Sequence, residues 1–416
     1  MPDKKDSVKL DKKTGLLSNS ASAGIRSIIA SLLCILGGVL VGVILLFILA
    51  LTNKDIPTSD AVSGLLILLG GPFASGSASD IMFNLGDMLL ETTPLLMTGL
   101  SVAIAFKTGL FNIGAPGQYL MGATGSLFVA LSIPTDKVPA ILVWLLAFIV
   151  GILCGMIWGA IPGLFKALFN VNEVIVCIMC NWIAANAVSW IFSISGDNYI
   201  NYAETKVKFI RTTASNGVMT PRLGLDKIFK GSNIDISIFI AILIAIGVYI
   251  LLNKTTLGYE LKACGHNKNA AKYAGMNEKR NIILSMVIAG GLAAGGAALW
   301  YLNGKNDFMW NTYSTLPNDG FNGIPVALLA SNNPIGVIFS AVFLRYLGKG
   351  GFNLAGYTHF NEYVSDLMVA MIIYFAGFSK LFKDMLGKRQ AKRNSEAERK
   401  ARLRETPNKT EGGNEK

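Results

Sequence analysis

The side chains best suited to chemistry in this sequence are carboxylates, amides and aromatic rings within or beside long apolar runs. Glu91 and Asn181 lie inside such runs, and Asn112 and Gln118 lie between two of them. An ionisable or amide group in an apolar segment is a functional hypothesis by default, because burying it without a partner is costly. Since amides and carboxylates hydrogen-bond polar solutes and aromatic rings stack on them, the candidate solute-contacting residues are Glu91, Asn112, Gln118, Glu173, Asn181, Trp182, Asn186, Phe321 and Asn322.

Several of these candidates also have a structural interpretation. Glu91 can bond a hydroxyl group of a neighbouring helix, Glu173 fits a solvated position near the end of a run, and Trp182 can face lipid. No cluster of His, Cys or paired carboxylates accompanies them, and the chain has only two histidines and five scattered cysteines. We therefore expect no metal site, no disulfide framework and no catalytic residues.

Composition defines the class of protein that must position these residues. Of 416 residues, 52% are hydrophobic and only 15% are charged, against about 25% charged in soluble domains. The apolar runs of roughly 20 residues suit helices that cross a hydrocarbon core of ~30 Å. The sequence predicts an all-α polytopic membrane protein with about 8–10 transmembrane helices, a permease domain over 28–384 and charged tails at 1–27 and 385–416.

The net charge of +11 reflects basic residues concentrated in both tails and in the loop between Lys254 and Arg280. That distribution follows the positive-inside rule, in which cytoplasmic segments carry the excess of Lys and Arg. We therefore expect membrane lipid and no nucleic acid as a partner, with both termini on the cytoplasmic side of a bacterial inner membrane. The predicted spans are 28–52, 85–106, 117–133, 139–168, 172–194, 234–253, 282–303, a broken stretch at 321–347, and 364–382.

Two interruptions break the apolar pattern. If the stretch 321–347 crossed the membrane once, the basic tail after Lys380 would be external, so we predict a re-entrant hairpin of two half-helices, 321–331 and 335–347, joined at Ser331–Pro334. The segment from Gly109 to Gln118 is either a similar mid-membrane break or an ordinary cytoplasmic turn. Broken helices of either kind are typical of transport paths. The polar stretch 195–233 is expected to form an external loop.

The loop 254–281 has a sequence pattern that suggests how it could work. Asn269 to Gly275 predicts a short helix with a small-residue face, ended by a glycine in the left-handed conformation. A short helix between two spans can pass a partner's movement into the membrane, although a solvated surface helix shows the same pattern.

This loop resembles the coupling loop of permeases in ATP-binding-cassette (ABC) importers, whose pattern is Glu-Ala-Ala, three residues, Gly, with Asn269 here in place of Glu. The string from Gly258-Tyr259 through Gly265-His266-Asn267 to Gly275 resembles the simple-sugar and nucleoside permease family. The stretches Thr93 to Leu100, Gly109 to Ala123, Asn172 to Ile175 with Asn181, and Phe321 to Leu329 are similar to its nucleoside branch. Pro116 departs from the family, whose members usually carry Glu there.

The resemblance, over about residues 85–380, implies a type II-like permease that imports nucleosides. It also implies a second, homologous permease subunit in a homo- or heterodimer, an extracellular substrate-binding lipoprotein and a separate ABC ATPase. ATP and magnesium would bind that ATPase, because this chain has no G-x-x-x-x-G-K-[ST] phosphate loop. The residues implied in coupling are Gly258, Tyr259, Asn269, Ala270, Ala271, Tyr273 and Gly275. A monosaccharide (pentose) permease and, less consistently with the coupling loop, an ion-driven secondary transporter are the alternatives.

Overall fold

The fold is almost entirely helical. It is taken from a computed structural model that describes residues 29, 32–34, 36–53, 56–74, 76–195, 199–202, 206–311, 315–361, 363–376, 378, 381, 382, 384, 385, 387, 388 and 396. The predicted tail at 1–27 and nearly all of the one at 385–416 lie outside these residues. The helices are α1 (Leu32–Thr52), α2 (Thr58–Gly70), α3 (Ala78–Lys107), α4 (Ala115–Ser132), α5 (Ala140–Phe169), α6 (Glu173–Ile194), α7 (Leu225–Ile228), α8 (Ser237–Lys254), α9 (Thr256–His266), α10 (Lys268–Tyr273), α11 (Glu278–Tyr301), α12 (Asn318–Leu329), α13 (Pro334–Tyr357) and α14 (Tyr363–Ala376).

Seven helices within the described part of the chain are long and apolar enough to cross a membrane: α1, α3, α5, α6, α8, α11 and α13. The chain divides into two compact units, residues 1–41 with 371–416, and residues 42–370. In the first unit, Gly37 of α1 lies against the ring of Phe375 in α14. The candidate site belongs entirely to the second unit.

Helices α3 and α11 are the most buried spans of the second unit. Glycines let α11 approach α5 closely: a β-carbon at Gly290 would lie 3.0 Å from the Cα atom of Gly159. Small residues let helices pack closely in lipid, where the hydrophobic effect does not drive helices together. Ser77 caps α3 by accepting a hydrogen bond from the backbone N–H of Asp80 at 3.2 Å.

A small sheet, not predicted from the sequence, interrupts the helical pattern. Strand β1 (Ile200–Asn201) pairs antiparallel with β2 (Lys206–Ile210), which pairs with β3 (Phe308–Met309) in the register Ile210 to Phe308. Asp235, just before α8, is tied to the residues after α11, because its carboxylate accepts hydrogen bonds from Ser237 N–H and the amide of Asn303. Burial raises the pKa of Asp235, although these hydrogen bonds oppose the shift.

The break predicted at Ser331–Pro334 is confirmed, because α12 ends at Leu329 and α13 begins at Pro334. The predicted length of the second half-helix is wrong, since α13 continues past 347 to Tyr357. The glycines after residue 347 do not end the helix, because distant residues pack against it. The amide of Asn353 donates to the carbonyl oxygen of Gly71 at 2.9 Å, and Gly350 lies against the backbone of Leu68. Helix α2 and Gly71, which follows it, supply that packing and lie between the predicted spans 28–52 and 85–106.

Candidate functional site

The break between α3 and α4 is closed by backbone hydrogen bonds. Helix α3 ends in a Schellman motif: Leu110 N–H donates to Ala105 C=O at 2.9 Å, and Gly109 N–H donates to Phe106 C=O at 3.1 Å. Gly109 takes the left-handed conformation that this motif requires, with φ of 74°. Helix α4 then begins at Ala115 with Pro116 in its first turn, where the missing N–H costs nothing.

Asn112 organises the chain between these two helix ends. Its amide donates to Ser101 Oγ at 3.0 Å and to Gln118 Oε1 at 2.9 Å, while its Oδ1 accepts from Gly114 N–H at 3.1 Å and Gln118 Nε2 at 3.2 Å. Asn112 is 0% exposed and Gln118 is 1% exposed. The two side chains therefore hydrogen-bond each other, Asn112 also binds the backbone N–H of Gly114, and both are buried in this structure.

Asn181 joins the break to α6. Its Oδ1 accepts from Gly117 N–H and its amide donates to the carbonyl oxygen of Ile113, both at 2.9 Å. The bond to Gly117 satisfies one of the free N–H groups at the N-terminus of α4. Because Asn181 uses one N–H and one lone pair in these bonds, one of each remains for another partner.

A groove of about 290 Å³ lies beside Asn181. Three predicted contact residues, Asn181, Trp182 and Phe321, line it together, with Ile178, Thr315 and Leu316 completing its wall. Its two aromatic rings and one amide give it the apolar surface with a few polar groups that is typical of small-molecule sites. The structure therefore brings together residues that are 140 positions apart in the sequence.

The remaining predicted contact residues lie elsewhere. Asn186 is exposed and lines a second groove on α6 with Trp182 and Trp190. Asn322 is exposed on α12. Glu173, in the first turn of α6, pairs with Lys166 at 2.9 Å. It lies eight residues before Asn181, or about 12 Å along a helix.

Glu91 belongs to a network of charges that joins α3, α12 and α13. Lys349 Nζ lies 3.2 Å from Glu91 and 3.7 Å from Asp87, and Arg345 pairs with Glu91 at 4.0 Å and with Asp319. Sequence reasoning singled out Glu91 alone and missed its partners. The available signal was Arg345 and Lys349 themselves, two cations within an apolar stretch, since charges in spans usually pair with one another.

Helix α10 has the local structure that the loop pattern predicts. Asn267 caps it by accepting from Ala270 N–H at 3.0 Å, and Gly275 ends it with φ of 79°. Tyr273 is 94% exposed, whereas Ala271 is 3% exposed. Asn269, Ala270, Tyr273, Ala274 and Gly275 thus form one exposed surface, and Ala271 packs inward.

Helix α9 carries two further residues that are predicted to act in coupling. Tyr259 is exposed on this helix, whereas Gly258 is buried. A β-carbon at Gly258 would lie 2.6 Å from the Cα atom of Leu252, so a larger residue does not fit there. Gly258 therefore allows the tight turn from α8 into α9, and Tyr259 is an exposed aromatic side chain on α9.

Seven apolar helices in the described part of the chain, two helix breaks and a capped loop helix are features of a multi-pass membrane permease. The family described as the permease component of a branched-chain amino acid transport system matches residues 84–377. The chain belongs to this family of permeases, which confirms the resemblance to ABC-importer permeases seen in its motifs.

Curated relatives agree with this assignment. The chain is 33% identical to the guanosine ABC transporter permease protein NupP of Bacillus subtilis, over 79% of this chain and 93% of the relative. It is 35% identical to the nucleoside ABC transporter permease protein NupB of Lactococcus lactis, over 79% of this chain and 87% of the relative. The glucose ABC transporter permease protein TsgB13 of Haloferax volcanii is 27% identical, over 72% of this chain. No solved structure matches the chain.

Proposed function

We propose that this chain is the path-forming permease of an ABC importer for nucleosides, in the cytoplasmic membrane of a bacterium, with both termini in the cytoplasm. The observation that carries the proposal is the groove of Asn181, Trp182 and Phe321 in the same compact unit as the exposed α10 surface. The names of two relatives, which are permeases for guanosine and for nucleosides, support this choice of substrate.

The groove suits the two chemical parts of a nucleoside. A nucleobase offers a π-face to Trp182 or Phe321, and such stacking contributes about 1–3 kcal/mol per base. The unused N–H and lone pair of Asn181 can hydrogen-bond the polar edge of a base or a ribose hydroxyl. A monosaccharide lacks the flat base, so two aromatic rings favour a nucleoside over a pentose or hexose.

The α10 surface suits a docked ATPase. Tyr273 projects from a helix too short to be stable alone, held by Asn267 at its start and Gly275 at its end. Small neighbours at Ala270 and Ala274 let a partner approach closely. The ATPase would hydrolyse ATP with its magnesium, a second permease subunit would complete the path, and a lipoprotein would deliver substrate from outside.

Replacing Tyr273 by Asp tests the docking surface. We expect co-purification of the ATPase to fall by about tenfold or more, because an exposed tyrosine is a common anchor of protein interfaces. Tyr357→Asp is the matched control, since Tyr357 is 58% exposed at the far end of α13. Equal loss in both variants, or none in Tyr273→Asp, contradicts docking at α10. Ala271, which packs inward, is unsuitable for this test.

Replacing Trp182 by Ala tests the groove. Loss of one stacking ring should lower guanosine uptake by about tenfold, while Trp190→Ala, two turns further along the exposed face of α6, should leave it nearly unchanged. ATPase co-purification is the control for assembly in both variants. Unchanged uptake by Trp182→Ala places the nucleoside elsewhere.

A further inference from the structure

The last turn of α9 touches the α3–α4 break backbone to backbone. A β-carbon at Gly265 would lie 2.8 Å from the carbonyl carbon of Thr108 and 2.9 Å from the nitrogen of Gly109. From the other side, a β-carbon at Gly109 would lie 3.1 Å from the Cα atom of Gly265. No side chain separates the two segments, so a displacement of α9 cannot be absorbed by a rotamer change.

Helix α11, on the other side of α10, reaches the same break. Ser285 Oγ donates to Thr108 Oγ1 at 2.9 Å, and both side chains are buried. Helices α9 and α11 are joined to each other, since the amide of Asn281 donates to Glu260 at 3.1 Å. Lys268 of α10 pairs with Glu278 of α11 at 4.0 Å. Helices α9, α10 and α11 are therefore linked, and α9 and α11 contact residues 107–109.

The far end of the break leads to the groove. Asn112 fixes the chain from Gly114 to Gln118, and Asn181 holds Ile113 and Gly117 against α6. Asn181 itself lines the groove beside Trp182. Closely packed, hydrogen-bonded segments of this kind transmit displacement because they have little freedom to deform locally.

We propose that the break at residues 108–114 is the element that carries movement of the coupling loop to the groove, with Gly265 and Ser285 as its positioning residues on the loop side and Asn181 on the groove side. The proposal rests on the proposed function, because it concerns how a docked ATPase acts on the nucleoside path. It assigns to the break a role in coupling, separate from any direct contact with substrate.

The test compares uptake with ATP hydrolysis in the assembled importer. Gly265→Ala forces a methyl group between two backbones, and we expect the number of guanosine molecules transported per ATP to fall by about tenfold. ATPase co-purification should stay unchanged, because the α10 surface is untouched. Gly247→Ala, a glycine-to-alanine change in α8 with open space around it, is the matched control and should behave as the wild type.

Ser285→Ala keeps the test decisive if Gly265→Ala fails to accumulate. It removes one hydrogen bond without adding an atom, so a fall of about threefold in the coupling ratio is expected with only a small fall in the unfolding midpoint. A wild-type coupling ratio in Ser285→Ala, or in a stable Gly265→Ala complex, overturns the proposal. If the wild type and Gly247→Ala transport no guanosine at all, the proposed function is what has failed.

Discussion

At both helix breaks, the helix before the break ends in a Schellman motif, but different residues form it. At the α3–α4 break the left-handed position belongs to Gly109, with φ of 74°. At the α12–α13 break it belongs to Ser331 and Asn332, with φ of 51° and 57°. Asn332 N–H donates to Ala327 C=O at 2.8 Å and Ser331 N–H donates to Leu328 C=O at 2.9 Å. These two bonds correspond to those that Leu110 and Gly109 make at the α3–α4 break.

The surroundings of the two breaks differ more than their backbones. Neutral amides satisfy the first: Asn112 and Asn181 bond its N–H and C=O groups, and Gln118 bonds Asn112. The helices that flank the second carry a charge network, and Asn332 Oδ1 is buried without a hydrogen-bond partner among the described residues. The first break is therefore built as a rigid joint, while the second retains backbone strain and an unsatisfied acceptor.

Among variants that distinguish the two breaks, Asn112→Leu is expected to lose the most stability. It leaves Gly114 N–H, Ser101 and Gln118 without their partner, at roughly 1–3 kcal/mol for each buried group. We expect the variant to accumulate poorly in membranes. The same change at exposed Asn322 on α12 should leave accumulation normal. Normal accumulation of Asn112→Leu, measured by quantitative immunoblot, would show that the network is dispensable.

A smaller effect is expected from Lys349→Met in the charge network. The buried cation is lost while Asp87 and Glu91 remain. Breaking a fully buried pair from one side costs about 3–5 kcal/mol, and the cost here is smaller because the side chains of Asp87 and Glu91 are 20% and 33% exposed. The midpoint of thermal unfolding in detergent should fall. Adding Glu91→Gln should recover part of the loss, because one uncompensated carboxylate is removed. No recovery in the double variant contradicts the assignment of Glu91 as a principal partner.

The smallest effect, with the opposite sign, is expected from Asn332→Gly. Glycine adopts a positive φ freely and removes the unsatisfied acceptor, so stability should rise by about 0.5–1 kcal/mol. Gly109→Ala at the first break should instead lower stability, since alanine is strained at φ of 74° and its methyl group meets Gly265. The unfolding midpoints should therefore move in opposite directions, and a shift in the same direction would remove the distinction between the breaks.

Both breaks were predictable because Gly, Pro and Asn cluster at them against an apolar background. The short helix α10 and its left-handed Gly275 were predictable for the same reason. The hydrogen bonds from Asn181 to Gly117 and Ile113, the Gly109–Gly265 contact and the pairing of β2 with β3 were not. They join segments 64 to over 150 residues apart, and no local pattern specifies which distant segment will lie alongside.

Burial also separated residues that looked alike in the sequence. Ala270 and Ala271 belong to one small-residue pattern, yet only Ala270 is exposed. Glu91 was recognisable as an intramembrane carboxylate, but its pairing with Lys349 depends on α13 continuing beyond its predicted end. Periodicity gives the face of a helix, and tertiary packing decides what covers that face.

Transport by the reconstituted importer tests the central claim most directly. Proteoliposomes containing this permease, its second permease subunit and the ATPase, supplied with the lipoprotein, are loaded with ATP and given radiolabelled guanosine. We expect ATP-dependent accumulation that unlabelled adenosine or guanosine reduces and glucose does not, with no uptake by complexes carrying a non-hydrolysing ATPase. Uptake driven by an ion gradient without ATP, or competition by glucose alone, would contradict the account.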